Sequence, residues 1–239
     1  MSTTAAARPQ LDLPGQAHVA EGPLDMTGMY TMHFAFRRDL THFVEAVRRT
    51  PVGEHGVWVA LQQRWGRFFE VLHHHHASED EHIWPATRAH AAEAGRTEAV
   101  AVLDSMEAEH ELIDPALTAC TDAFAAMVEH PCADHRNALD VEVTEVRELL
   151  VNHLAREESE AIPLVQELMS QEEWDAAEKA IGKEYGLRII PFAVPWVFKG
   201  LPADKAAEVL PLLALPHRVL LRVLRPGFDR REAVAFRYV

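Results

Sequence analysis

Two stretches of the sequence carry the same pair of potential metal ligands. His75 is followed four residues later by Glu79, and His153 is followed four residues later by Glu157. A spacing of four places both side chains on one face of a helix, where they can reach the same point. Imidazole nitrogens and carboxylate oxygens both bind transition metals, so each pair is a candidate part of a metal site.

These pairs belong to a longer internal repeat. Each copy reads His-x-Ala-x-Glu, then an acidic residue and a later proline, and the copies begin at His75 and at His153. One further histidine precedes each copy at nearly the same distance. The repeat predicts a duplicated helix pair, which favours two metal ions over one ion with spare ligands. Because a carboxylate has two oxygens, each Glu suits a bridging position. The candidate ligands are His33, His75, Glu79, His110, His153 and Glu157.

A histidine near an acid is common in a chain with 15 His and 37 Asp and Glu, so one such pair means little. All six candidates, however, fall on the apolar face of their predicted helix. Burying several ionisable side chains is costly unless a metal or tight pairing compensates. Their placement therefore favours metal ligands over a solvated surface.

The neighbouring histidines are weaker candidates. Helical geometry places only His75 of the run at residues 73–76 on the core-facing stripe. We expect His73, His74 and His76 on a solvated or interhelical surface, with His74 or His76 touching a metal ligand as the less favoured alternative. His82 lies one turn beyond Glu79, and Glu107 one turn before His110, so either is a possible extra ligand.

A competing architecture uses the same residues differently. Glu79 with His82, and Glu107 with His110, have the Glu-x-x-His form of ferritin-like di-iron bundles, in which the motif lies on two helices and a lone Glu on each of the others. Here the motif falls on the neighbouring second and third helices, while the fourth offers a His and a Glu. This order disfavours the ferritin-like arrangement.

Apolar residues recur at spacings of three and four in four long segments, which predict helices. We expect these helices over residues 26–47, 56–84, 96–128 and 133–169, with a kink at Pro115. Long amphipathic helices with mostly short connections predict an all-α fold, an antiparallel four-helix bundle.

Three regions follow from this pattern. We expect a flexible N-terminal arm over residues 1–23, the metal-binding bundle over 24–170 and a short helical C-terminal extension over 171–239. A capping box that starts at Ser170 begins the extension. Its last part is rich in Pro and Arg and is predicted to form one or two short helices near residues 203–224. We expect these to pack on the acidic bundle or to mediate self-association.

Composition limits the possible partners. A formal net charge of −14 disfavours binding to nucleic acid or to an anionic membrane, because both require a basic face. The most apolar segment, residues 189–198, contains two prolines and is about half as long as a membrane span. The only two cysteines, Cys120 and Cys132, are expected to be free thiols. Without an N-terminal apolar stretch of signal-peptide length, a cytoplasmic location is expected, with small molecules or other proteins, including a second copy, as partners.

The motifs resemble those of the hemerythrin-like HHE cation-binding family. The matching features are His33, the sequence HHASEDEHIWP at residues 75–85, the Glu109-His110 step and the sequence HLAREESEAIP at residues 153–163. The resemblance covers roughly residues 24–170. It implies a bundle that holds a non-haem di-iron centre, which binds dioxygen or reacts with a related oxidant such as peroxide or nitric oxide. It also implies a role for each candidate: the four histidines are terminal ligands, and Glu79 and Glu157 are bridges.

One departure from the family pattern affects the predicted function. Oxygen-carrying hemerythrins have two His four residues apart on the third helix, whereas Met106 and Asp114 lie four residues from His110. One iron therefore lacks an imidazole unless His82, Glu107 or Asp114 substitutes. An iron with few ligands keeps an open position, which favours a redox enzyme or a sensor over a reversible carrier.

Three functions stay open at this point. The leading one is a di-iron protein that reacts with a small oxidant. The second is an iron-sensing or oxygen-sensing module without turnover. The third is a structural bundle that binds zinc or nothing. Tyr30 and Arg37 share the face of His33 and are candidates to hydrogen-bond an oxidant, although pairing of Arg37 with a Glu is favoured.

Overall fold

A computed structural model describes residues 7–184 and 186–239. Within these ranges the regular structure is helical, apart from one isolated antiparallel bridge between Arg8 and Gly22. The α-helices are α1 Thr27–Arg49, α2 His55–Ser78, α3 Trp84–Glu93, α4 Thr97–Glu129, α5 Ala133–Arg156, α6 Ile162–Leu168, α7 Gln171–Glu184, α8 Gly186–Phe198, α9 Ala203–Val209 and α10 Leu215–Ala235. The predicted all-α class is confirmed.

Four long helices, α1, α2, α4 and α5, form a closed ring of contacts that we call the four-helix core. Helix α1 contacts α5, α5 contacts α4, α4 contacts α2, and α2 contacts α1. Their apolar faces meet in the interior, where the ring of Phe43 lies 5.2 Å from Trp65, 5.8 Å from Phe68 and 6.0 Å from Phe124 between centroids. Burial of these faces, more than helix propensity, stabilises helices in proteins.

Two π-helical segments interrupt the second and fourth predicted helices, at Glu79–Ile83 and Glu157–Ala161. Each lies just before a proline, Pro85 or Pro163. Proline donates no backbone hydrogen bond and its ring collides with the carbonyl four residues earlier, so a wider turn relieves the conflict. In contrast, α4 continues through Pro115 as one helix.

The internal repeat is visible in the helix boundaries. Helix α2 spans His55–Ser78 and α5 spans Ala133–Arg156, so both ends of α5 follow those of α2 by the same step that leads from His75 to His153. The π-helical segments, which begin at Glu79 and Glu157, are related by this step as well. The two halves therefore present their His-Glu pairs at equivalent positions of equivalent helices.

The N-terminal segment departs from expectation. We predicted a flexible arm over residues 1–23, but the described part, residues 7–23, packs on the helices. Leu11, Leu13 and Ala20 are buried in an apolar cluster, and the Gln10 side-chain amide donates hydrogen bonds to the backbone carbonyls of Gly22 and Leu24. The prediction was wrong for this part because the few apolar side chains of the segment cover one end of the core. Residues 1–6 lie outside the described residues.

The C-terminal helices α8 and α10 pack against α1 and α2 through a buried ionic network. Arg64 of α2 donates hydrogen bonds to Asp39 of α1 and, at 2.5 Å, to Glu232 of α10. The Trp196 indole N–H of α8 donates to Asp39 at 2.8 Å. Burial opposes ionisation of Asp39, but Arg38 and Arg64 hold its pKa below the usual value. The network fixes the extension to the core, while self-association stays a prediction.

Two smaller expectations concern the cysteines and the membrane. Cys120 and Cys132 are both free thiols, as expected. None of the helices within the described ranges has both the length and the apolar composition that crossing a bilayer demands.

Candidate metal centre

Seven buried side chains of α1, α2, α4, α5 and the two π-helical segments meet inside the four-helix core in two clusters. In each cluster the potential ligand atoms lie within 4.8 Å of one another. Cluster A consists of His33, His75, Glu79 and Glu157, and cluster B consists of His76, His110 and His153.

Cluster A pairs each imidazole with one carboxylate. His33 Nε2 lies 3.2 Å from Glu157 Oε2, and His75 Nε2 lies 3.1 Å from Glu79 Oε1. The two histidine rings are 5.3 Å apart between centroids and nearly perpendicular. Despite these short distances, neither nitrogen and neither carboxylate has a hydrogen-bond partner, because the geometry does not suit one. The four side chains thus point at a common space.

Cluster B brings three imidazoles together. His110 Nε2 and His153 Nε2 are 3.1 Å apart, and the rings of His76 and His110 stack at 4.0 Å between centroids. The two carboxylates of cluster A also reach cluster B, since Glu79 Oε2 is 3.6 Å from His110 Nε2 and Glu157 Oε2 is 3.8 Å from His153 Nε2. Each carboxylate therefore lies between the two clusters, where it can bridge two ions.

Most of the potential ligand atoms in the two clusters are buried without a hydrogen-bond partner. A buried polar atom left unsatisfied costs about 1–3 kcal/mol, so several such atoms in one place call for a ligand that the protein itself does not supply. The unpartnered atoms are His33 Nε2, His75 Nε2, both ring nitrogens of His76, and both carboxylate oxygens of Glu79 and of Glu157. Imidazole and carboxylate donors without thiolates fit transition-metal cations, iron among them.

Acidic side chains hydrogen-bond three of the histidines at Nδ1, the ring nitrogen that faces away from the site. Each accepts a hydrogen bond from a histidine Nδ1–H and leaves the Nε2 lone pair aimed into the site, as is usual for metal-ligating histidines. The pairs are His33 with Glu158 at 2.9 Å, His110 with Asp80 at 3.0 Å, and His153 with Glu109 at 2.8 Å. The orientation of these rings is therefore fixed by the protein.

The family model for the hemerythrin HHE cation binding domain matches residues 26–165, more than half of the chain. The chain belongs to the hemerythrin HHE family. The matched range includes every residue of clusters A and B, and it leaves the C-terminal helices α7 to α10 outside the domain. No curated protein and no solved structure shows significant similarity to the chain.

Burial and neighbouring charges shift the pKa values of the cluster A residues. Burial lowers the pKa of His33, but Glu157 and Glu158 outweigh it and raise that pKa to about 9. Burial raises the pKa of Glu79 well above its usual value, and the nearby Glu157 carboxylate raises it further. Burial acts the same way on Glu157, yet His33 holds the pKa of Glu157 well below its usual range.

The other imidazoles lose their protons more easily. Burial lowers the pKa of His75 to about 3, with the charge of His33 adding to the effect. Burial likewise lowers the pKa of His153 to about 3, although Glu157 opposes it. Neutral imidazoles are the form that binds metal ions, so these rings are ready to act as ligands.

All six residues predicted from the repeat meet in this site, and the structure adds His76. The expectation that only one histidine of the run at residues 73–76 faces the core was wrong. Successive residues of a helix are about 100° apart, and α2 has two neighbours in the core. His75 therefore faces His33 of α1, while His76 faces His110 of α4. The repeat gave no signal for His76, because its counterpart is Leu154.

The residues proposed to complete the site lie elsewhere. His82 belongs to a surface group with Glu81 and Glu184, and its Nε2 is 2.8 Å from Glu184. Glu107 accepts a hydrogen bond from Arg88. Asp114 belongs to neither cluster. Of these candidates and His76, only His76 lies in a cluster with His110.

Asp80 and Glu158 were missed as functional residues, although the repeat contained their signal. Each is the acidic residue that follows the Glu of one copy, and each holds the histidine of the other half. Arg37 donates two hydrogen bonds to Glu158, at 2.7 and 2.9 Å, which agrees with the favoured pairing to a Glu. The Tyr30 hydroxyl accepts a hydrogen bond from the backbone N–H of Ala20.

Proposed function

We propose that the chain is a non-haem di-iron protein that binds and reacts with a small oxidant, such as dioxygen, peroxide or nitric oxide. The observation that carries this proposal is the pair of clusters A and B, which present seven buried ligands and share two carboxylates. We further propose that α1, α2, α4 and α5 make up the antiparallel four-helix bundle of the family.

Two ions suit the site better than one. Cluster A supplies two imidazoles and cluster B supplies three, and the carboxylates between them reach both. One ion cannot take all seven side chains, because transition-metal ions in proteins bind about four to six ligands. Two ions that share Glu79 and Glu157 would give each of the seven side chains an ion to bind.

The two proposed ion positions differ in their number of imidazole ligands. Cluster B has a third imidazole, His76, whereas the matching residue of the second half is the apolar and fully buried Leu154. Cluster A is therefore the position with fewer nitrogen ligands and with space for an oxidant. An iron pair bound here would supply two electrons to that oxidant.

The protein residues around the site set its conditions. The buried apolar side chains of the core exclude water, which strengthens electrostatic interactions at the site. Glu158, Asp80 and Glu109 keep His33, His110 and His153 in place, so little reorganisation is needed when the oxidant binds.

Iron content and an absorption spectrum test this proposal. Protein expressed with added iron and purified without a nickel column is expected to hold two irons per chain and to absorb in the near ultraviolet, as an oxo-bridged ferric pair does. His75→Ala and His153→Ala should each lose this band, while the control His73→Ala, at an exposed position of the same run, should keep it. Less than one iron per chain would contradict the proposal.

A second candidate is a sensor that reacts once and signals through the C-terminal extension. One contact path favours it: the Phe36 ring lies 5.3 Å from His75 and 5.1 Å from Trp196 of α8, between centroids. A movement of His75 can therefore be transmitted to α8 through the Phe36 ring. Turnover separates the two candidates, because reduced protein given excess peroxide and reductant should consume it continuously as an enzyme but only once per site as a sensor.

A further inference from the structure

A small cavity between α4 and α5 reaches one of the metal-site histidines. Its volume is about 170 Å³, and its lining includes Glu109, Leu112, Ile113, Leu149, His153 and Arg156. His153 is 2% exposed and belongs to cluster B, whereas Leu112 is 66% exposed and lies at the outer rim. The cavity therefore extends from the surface of the protein to the back of a candidate ligand.

The charges at this cavity are already paired with each other. Glu109 accepts hydrogen bonds from both Arg156 and His153 Nδ1. Arg156 also donates to Ser105 at 3.1 Å and to Glu160 at 3.0 Å. With no free charge to attract an ion, and with Ile113 and Leu149 as apolar walls, the cavity suits a small uncharged molecule.

Side chains cover the equivalent place in the opposite half of the repeat. The step along the chain that leads from His33 to His110 also leads from Phe36 to Ile113. The larger Phe36 ring packs against His75, the counterpart of His153, and Trp196 of α8 covers it. The C-terminal extension thus covers one of two equivalent approaches to the site and leaves the α4–α5 approach open.

We propose that the α4–α5 cavity is the binding site and access route for an uncharged diatomic molecule on its way to the metal pair. Delivery of the molecule to a metal pair rests on the proposed function, whereas binding of the molecule in the cavity does not. An apolar cavity of about 150 Å³ is known to hold xenon or benzene, so the size is sufficient for a diatomic gas. Arg156, which lines the cavity and is 40% exposed, can also change its position, since exposed side chains change rotamer within nanoseconds.

Xenon tests the cavity without any metal. Crystals of the full metal-free chain under xenon pressure should show a xenon atom between Ile113 and Leu149, and Leu149→Trp should remove it by filling the space. Ile113→Phe, which copies the residue of the first half, is a second way to fill the cavity if Leu149→Trp does not fold. Absence of xenon from the wild-type cavity would overturn the proposal.

The access route is tested by the association of nitric oxide with the reduced, iron-loaded protein in a stopped-flow instrument. Leu149→Trp should slow association by on the order of tenfold, which corresponds to an added barrier of about 1.4 kcal/mol. The matched control is Leu164→Trp, because Leu164 is also half-buried but lines a different cavity near Gly95 and Arg96. An unchanged rate in the filled variant, or equal slowing in the control, would overturn the route.

These two experiments separate the inference from the proposed function. If the protein takes up no iron, the di-iron proposal fails, and the xenon result still decides whether the cavity accepts an apolar atom. If iron is bound and nitric oxide associates equally fast in Leu149→Trp, the function stands and the access route fails.

Discussion

Replacing His76 by leucine should raise the stability of the metal-free protein while weakening metal binding at cluster B. His76 is 3% exposed, and neither of its ring nitrogens has a hydrogen-bond partner. Each unsatisfied buried nitrogen costs about 1–3 kcal/mol, so the pair destabilises the metal-free fold by about 2–6 kcal/mol. Leu154, which is buried, shows that the equivalent position of the second half accepts a leucine.

One favourable contact is lost in the same variant. The His76 ring stacks on His110 at 4.0 Å, and aromatic pairs contribute about 0.5–1.5 kcal/mol. The net change in the free energy of unfolding is therefore a gain of about 1–5 kcal/mol for metal-free His76→Leu. In a chain of this length each kcal/mol raises the melting temperature by about 2–4 °C.

The assay combines two measurements on the same samples. Urea unfolding of chelator-treated protein near neutral pH gives the stability, and a chelator competition on iron-supplied protein gives the iron affinity, which should fall because cluster B is left with two imidazoles. His73→Leu is the control, since His73 is exposed and should change stability by less than about 0.5 kcal/mol. A His76→Leu protein that is less stable without metal and keeps the wild-type iron affinity would show that His76 is a structural residue, and the assignment to cluster B would be wrong.

Three further predictions follow from the same geometry. The pKa of His33, raised to about 9, keeps this imidazole protonated near pH 7 without metal, so iron uptake should release its proton and weaken as the pH falls; calorimetry in two buffers of different ionisation enthalpy measures this release, and none is expected if His33 is not a ligand. Glu232→Ala leaves the buried Arg64 charge with fewer partners and should cost about 3–5 kcal/mol in urea unfolding, whereas a loss below about 1 kcal/mol would mean that the network does not hold α10. Glu109→Ala frees His153 Nδ1 and should weaken metal affinity about 10–100-fold in a chelator competition, with an unchanged affinity counting against the orienting role.

The sequence was sufficient for the parts that depend on periodicity and repetition. Apolar spacing located the four long helices, and the internal repeat located the residues of cluster A together with His110 and His153. These predictions succeed because a helix face and a repeated motif are both local properties of the sequence. Whether the assembled residues bind iron stays a proposal.

The rest depended on how helices meet. His76 is predicted on the surface if only one face of α2 is buried. Helix α2 packs against both α1 and α4, however, so a wider part of its circumference is buried. The π-helical segments have no clear pattern, since five residues are too few to separate a π-turn from an α-turn. Leu11 and Leu13 lie in irregular backbone, where apolar residues show no period, so their burial could not be read from the sequence.

The acids behind the histidines have a consequence for the symmetry of the protein. Asp80 of the first half holds His110 of the second, and Glu158 of the second half holds His33 of the first. One half of the chain alone would thus carry His33 or His110 without the acid that holds it, and two identical halves around a two-fold axis would complete each other. A half-length chain would therefore form this arrangement only as a dimer, and in the full chain the two copies differ, with histidine at position 76 and leucine at 154.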